Sequence, residues 1–180
     1  MRTPPKLILF TDQCRETLDG PDGWSKGWVF SDDPSQMRLR RQQDGGGVMF
    51  WAGIIGDELI GPQQGVKLNA KSYCEFISDA LSDWLENLNL KRRRKIIFMH
   101  DNAPSHASKK TTEFLYSLGF KKDTLMDLSA CSPDLNPIEN LWAIIKRSVY
   151  SNGKQYSSKM ISGLPYKMLR RLWNLLLSEN

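Results

Sequence analysis

The sequence predicts an α/β fold, a mixed sheet flanked by helices, on three observations. Short apolar runs rich in β-branched residues fill the amino-terminal part of the chain. After residue 69 the apolar spacing shifts to threes and fours. Beyond that point apolar strand-like runs alternate with helical ones. Strands that follow one another without helices pair antiparallel, whereas strands reached through helical crossovers pair parallel. The expected order is therefore an antiparallel three-stranded start, then parallel strands.

Taken in order, residues 1–5 read as a loose lead-in and residues 6–11 as the first strand, ending at Asp12. Leu18–Trp24 (LDGPDGW) gathers Gly, Pro and Asp into one turn, a hairpin signal. Trp28-Val29-Phe30 is a candidate second strand. Asp32–Asp44, with Arg38, Arg40 and Arg41, reads as a loop facing solvent or nucleic acid. Gly47–Ile55 (GVMFWAGII) is the most apolar short run and reads as a buried strand, with Gly56–Ile60 turning it towards another.

Tyr73, Phe76, Ile77, Ala80, Leu81, Trp84 and Leu85 recur at helical spacing, with Asn69 or Ser72 near the start and the end at residues 87–89. Lys91–Lys95 (KRRRK) reads as a solvated helix end, a phosphate contact or a nuclear localisation signal. Ile96–Met99 is a buried strand that stops at His100-Asp101-Asn102. A helix over Ala107–Leu118 is stopped by Gly119, and Thr124–Met126 is a short strand in an ambiguous stretch. Pro137–Tyr150 is a helix with Ile138, Leu141, Trp142, Ile145 and Val149 on one face. Ser157–Ser178 reads as helical but broken at Gly163-Leu164-Pro165.

Composition narrows the classes. With 180 residues, 40% of them hydrophobic, the chain can bury one real core. No apolar run approaches a membrane span, and the start lacks a secretory layout. Cys14, Cys74 and Cys131 fall in no metal-like spacing, which points to a reducing compartment without a disulfide framework. A net charge of +5 and a pI near 9.1 favour an anionic partner.

Three acids carry the chemical reading. Asp12 and Asp101 each follow an apolar strand, and open α/β sheets collect ligands at the carboxyl ends of their strands. Glu139 falls in the first turn of a helix. Three carboxylates supply the hard oxygen ligands that Mg²⁺ prefers. Two such ions can activate the attacking oxygen and stabilise the leaving one in a displacement at phosphorus. Asp12, Asp101 and Glu139 are therefore expected to converge on divalent metal for chemistry on DNA phosphodiesters. Without metal they repel one another, so at least one pKa should rise.

Each acid also has a plain local reading. Asp12 and Asp101 suit turns after strands. Asn136, Pro137 and Glu139 form an N-x-x-E capping box in which a first-turn acid suits the helix dipole. Gly45-Gly46-Gly47 lacks the lysine of a phosphate loop and reads as a flexible hairpin end. His100 and His106 are too few for a zinc site, and His100 reads as a structural group supporting Asp101. Trp51, Trp84 and Trp142 fall on core faces and read as packing.

Taken together, TDQCRETLDGPDGW, QQDGGGVMFWAG, MHDNAPSH and SPDLNPIENLWAIIKRSVY occur in an order that resembles the catalytic domain of mariner-superfamily transposases. The likeness covers roughly residues 7–150. It implies an RNase H-like fold, a DDE triad binding Mg²⁺ or Mn²⁺ as two ions, cleavage of transposon ends and strand transfer into target DNA. By motif position the triad is Asp12, Asp101 and Glu139. The implied partner is double-stranded DNA in the nucleus, and a reaction on paired ends implies a homodimer.

The sequence also departs from the family pattern. The Asp101–Glu139 spacing is longer than the commonest one, and Gln13 and Cys14 replace the usual acidic and polar residues. The family's amino-terminal helix-turn-helix pair is absent, and residues 151–180 resemble an incomplete carboxyl-terminal helical tail. Residues 1–150 are expected to form the core and 151–180 the tail. The alternatives are an inactive DNA-binding or interaction remnant, or a nuclease of the same fold that hydrolyses without joining.

Overall fold

A computed structural model describes residues 7–17, 47–65, 69–128 and 133–151, together with residue 171. The strands are β1 (Leu7–Thr17), β2 (Gly47–Ile55), β3 (Glu58–Gly65), β4 (Ile96–His100) and β5 (Leu125–Asp127). The helices are α1 (Ala70–Glu86), the short α2 (Leu90–Arg93), α3 (Lys109–Ser117) and α4 (Pro137–Val149).

The strands form one mixed sheet in the order β3-β2-β1-β4-β5. β1, β2 and β3 pair antiparallel, while β4 runs parallel to β1 and β5 parallel to β4. This is the expected order. Gly56, at φ +59°, makes the tight β2–β3 turn that a residue with a Cβ would strain.

Helices cover both faces, which explains why β2 reads as an unbroken apolar run. Trp51 and Ile55 point to one side, where they join Leu9, Tyr73, Ile77, Leu81, Phe98 and Leu115 beneath α1 and α3. Phe50, Ala52 and Ile54 point to the other, against Ile138, Leu141, Trp142, Ile145 and Val149 of α4. At Gly53 an added Cβ would come within 2.9 Å of the Leu9 Cδ1 methyl, so a larger residue there would push the Leu9 side chain aside.

Two local expectations change. β1 does not stop before Asp12 but continues to Thr17, because β2 pairs with it as far as Thr17↔Gly47. Asp12 therefore sits within a strand and not in a turn. Lys91–Lys95 is a helix end, as one of its readings had it, but the end of a separate helix and not of α1. Asn89 accepts from the Arg92 N–H and starts a separate helix, α2. Arg92 is then paired with Glu58, which also accepts from Trp84 Nε1 at 2.8 Å, so part of the basic run is committed to holding α1, α2 and β3 together.

α1 is capped by Asn69 and Ser72 in a reciprocal box, and Gly119, at φ +95°, follows the end of α3. β5 lies one residue later than expected. The Leu18–Trp24 hairpin, the Trp28–Phe30 strand, the Asp32–Asp44 loop, the glycines at 45 and 46, Cys131 and the helix expected over Ser157–Ser178, residue 171 apart, lie outside the described residues. Cys14 and Cys74 are free and buried.

Candidate active site

The parallel ladder between β1 and β4 ends at Phe10↔Met99. Two residues further along each strand stand Asp12 and Asp101, side by side at the carboxyl edge. The buried Thr11 Oγ1 donates to the Met99 carbonyl at 2.8 Å and holds the strands together where the ladder runs out.

α4 is fastened over the same point. Asn136 Nδ2 donates to the Thr11 carbonyl at 3.4 Å, and Trp142 Nε1 donates to Asp12 Oδ2 at 3.0 Å. Glu139 lies midway between these two anchors, on the flank of the buried helix face, and is exposed. The expected capping box is only half made: Asn136 accepts from the Ile138 N–H at 3.4 Å, without the reciprocal bond from Glu139. The Glu139 carboxylate is not consumed by the cap.

The electrostatics of the two aspartates are opposite. Burial pushes Asp12 up to about 7, against a hydrogen bond from the Gln13 backbone, and the negative charges of Glu139 and Asp101 add to the rise. Asp12 thus senses both other acids. The His106 ring beside Asp101 holds that carboxyl below its ordinary value, with the Ala103 N–H helping at 3.0 Å from Oδ1.

His106, not His100, is the histidine on Asp101: its Nδ1 meets Asp101 Oδ1. His100 instead faces Asp127 at 3.5 Å. The chain between Asp101 and α3 folds back on itself, with His106 N–H bonded to the Ala103 carbonyl, and so brings the more distant histidine home. The expected His100 acts on Asp101 only through its charge, while the hydrogen bond comes from His106, which sequence adjacency did not single out. The Trp142 indole was likewise legible as packing but not as a donor to Asp12.

A second group escaped the sequence reading. Asp12, Cys14 and Glu16 share one face of β1 beneath α4. Glu16 is 1% exposed and accepts from Cys14 Sγ at 3.3 Å. Burial raises the Glu16 carboxyl, while Tyr150, Cys14 and Lys146 oppose the rise. These contacts extend the α4–β1 seam away from the acids.

The oxygen donors of Asp12, Asp101 and Glu139 are of the kind a hard divalent cation takes. An aspartate whose proton is retained to about 7 by burial and two negative neighbours is a place where positive charge is missing. Among the described residues, however, no three His, Cys, Asp or Glu side chains are grouped closely enough to grip one ion. The arrangement centres on Asp12, which responds to the charges of both Glu139 and Asp101.

Residues 8–161 match the family described as DDE superfamily endonuclease. The chain is similar to the transposable element Tc3 transposase of Caenorhabditis elegans, 36% identical over 157 residues that cover 87% of this chain and 46% of that protein. It spans about half the length of the curated relatives it matches. The fold is similar to that of the Mos1 mariner paired end complex with Mn, at a TM-score of 0.68 and 22% identity, covering 93% of this chain and 48% of that one. It is also similar to the Mos1 transposase catalytic domain with Raltegravir and Mg, at 0.58 and 17%, covering 96% and 71%. The mixed sheet is thus RNase H-like, as in the Mos1 catalytic domain.

Proposed function

The chain belongs to the DDE superfamily of endonucleases, as a catalytic domain of Tc1/mariner transposase type, and on that premise we propose that Asp12, Asp101 and Glu139 are its metal-binding catalytic triad. The observation that carries the reading is the position of Asp12. It stands beside Asp101 beyond the last β1–β4 rung, beneath the helix turn that bears Glu139, and its proton affinity responds to both.

Enzymes of this family use a divalent metal, and Mg²⁺ or Mn²⁺ bound here would polarise a DNA phosphate and activate the attacking oxygen. Two ions suit the arrangement better than one, since Asp12 senses both other acids while no three-ligand group closes on one point among the described residues. Asp12, on a strand paired along its length, would be a rigid ligand to the metal. Asp101 is kept ionised and offers the oxygen that His106 and Ala103 leave free. Glu139, longer and exposed on a helix, is the member that adjusts. The proposed partners are double-stranded DNA at transposon ends and in the target, handled by a homodimer in the nucleus. In this account residues 1–150 form the core and 151–180 a tail. No described helix is long and apolar enough to cross a membrane.

The test is nicking of duplex DNA with Mn²⁺ or Mg²⁺. Activity should vanish in Asp101→Ala while the circular dichroism spectrum is unchanged; equal cutting by that variant discards the triad. The alternative, a binding remnant without catalysis, is favoured by one observation, the lack of a close three-ligand group among the described residues. A parent protein that binds DNA but shows no calorimetric signal with Mn²⁺ would establish that alternative.

A further inference from the structure

We infer that Gln13 and His106 form a bridge between β1 and β4 that sets the spacing of Asp12 and Asp101 and leaves Asp101 Oδ2 free for a divalent cation. The inference rests on the metal-site reading above and adds two positioning residues to it.

Beyond Phe10↔Met99 the two strands share no further ladder rungs, and past the Thr11–Met99 hydrogen bond something else must fix how far apart Asp12 and Asp101 stand. Gln13 follows Asp12 directly and pairs across the sheet with Trp51, so it faces the α1 side, away from α4. There Gln13 Nε2 lies 2.5 Å from His106 Nε2, and the other ring nitrogen, Nδ1, meets Asp101 Oδ1. The link runs from β1 through one imidazole to the residue after β4.

The ring cannot swing to release it. His106 is 3% exposed and stacks on Tyr73, with centroids 4.0 Å apart and planes 26° from parallel. On its other side lies the His100 ring, at 5.6 Å and 16°. Tyr73 is anchored in α1, so the bridge is braced by the helix layer.

The donor and acceptor roles follow from what each partner can offer. An ionised carboxylate only accepts, so Nδ1 carries the hydrogen. In a neutral ring Nε2 is then an acceptor, and the Gln13 amide NH₂ supplies its donor. Asp101 Oδ1 thereby accepts twice, from His106 and from Ala103 at 3.0 Å, whereas no hydrogen bond of the described residues reaches Oδ2. Groups that orient a metal-bound carboxylate in this way typically change metal affinity about 10- to 100-fold when removed.

The experiment is a Mn²⁺ titration of the purified chain, read by the electron paramagnetic resonance of free Mn²⁺, for the parent and four variants. Gln13→Ala and His106→Ala should each weaken binding by about 10-fold or more, and His106→Asn, whose amide N–H can still reach Oδ1 but which cannot meet Gln13, should recover no further than the Gln13→Ala level. Nitrogen-15 spectra of the parent should show His106 protonated at Nδ1 and bare at Nε2. Should His106→Ala fail to fold, Gln13→Ala, on a partly exposed side chain, decides the matter. Parent-like Mn²⁺ binding by folded Gln13→Ala and His106→Ala, or a hydrogen on Nε2, would overturn the bridge, provided Asp101→Ala loses the ion. Parent-like binding by Asp101→Ala would instead overturn the metal site itself.

Discussion

Asp12 is the residue on which the electrostatic account turns. Its folded pKa of about 7 lies above the ordinary 3.8, so the folded protein holds a proton that the unfolded chain has already released between those values. Stability of the metal-free protein therefore falls as pH rises from about 4 to about 7. Asp101, held low by His106, acts in the opposite sense and contributes stability that is lost as pH falls through its folded pKa. Asp12→Asn should remove the first effect, raising metal-free stability by up to about 4 kcal/mol at pH 8 and by little at pH 4, as read by urea unfolding. A variant no more stable than the parent at pH 8 would show that Asp12 is not strained by its neighbours. All three acids were legible as residues because each ends or opens a patterned segment. What Asp12 does was less so: its burial comes from Trp142 and the α4 seam, residues more than a hundred positions away.

At the scale of the element, α4 is the part that carries the third acid to the sheet. It reaches the sheet through Asn136 and Trp142, one turn on either side of Glu139, so the helix places its acid by being tied before and after it. Trp142→Phe keeps most of the packing volume but deletes the donor to a carboxylate. The expected loss is roughly 1–2 kcal/mol at pH 8 and less at pH 5, where Asp12 is largely protonated and the bond is no longer charge-assisted. Equal losses at both pH values would mean that the indole serves packing alone. Periodicity located α1, α3 and α4 to within about two residues because each buries one stripe. It misjudged β1, whose extension depends on pairing with β2 and not on its own polar sequence, QCRET. It ended α1 correctly near residue 87 but left the role of KRRRK open, since nothing local there reveals that Glu58 waits on a neighbouring strand.

Over the whole molecule, the order of strands and helices was enough to give the sheet. Consecutive apolar runs could only close as a meander, and later runs separated by helices could only join in parallel. Two-sided burial is what makes this topology useful: α1 braces His106 through Tyr73 from one face while α4 delivers Glu139 from the other. The carboxyl edge between them is where Asp12 and Asp101 emerge. What pattern could not supply was the spacing of the acids, which depends on side chains meeting across β1, β4 and α4. The most direct measurement is anomalous diffraction from a crystal of this chain soaked in Mn²⁺. The account predicts manganese at the carboxyl edge, bound by Asp12 together with Asp101, with Glu139 reaching the same ion or a second one beside Asp12. Manganese settling elsewhere, with Asp12 unliganded at neutral pH, would contradict it.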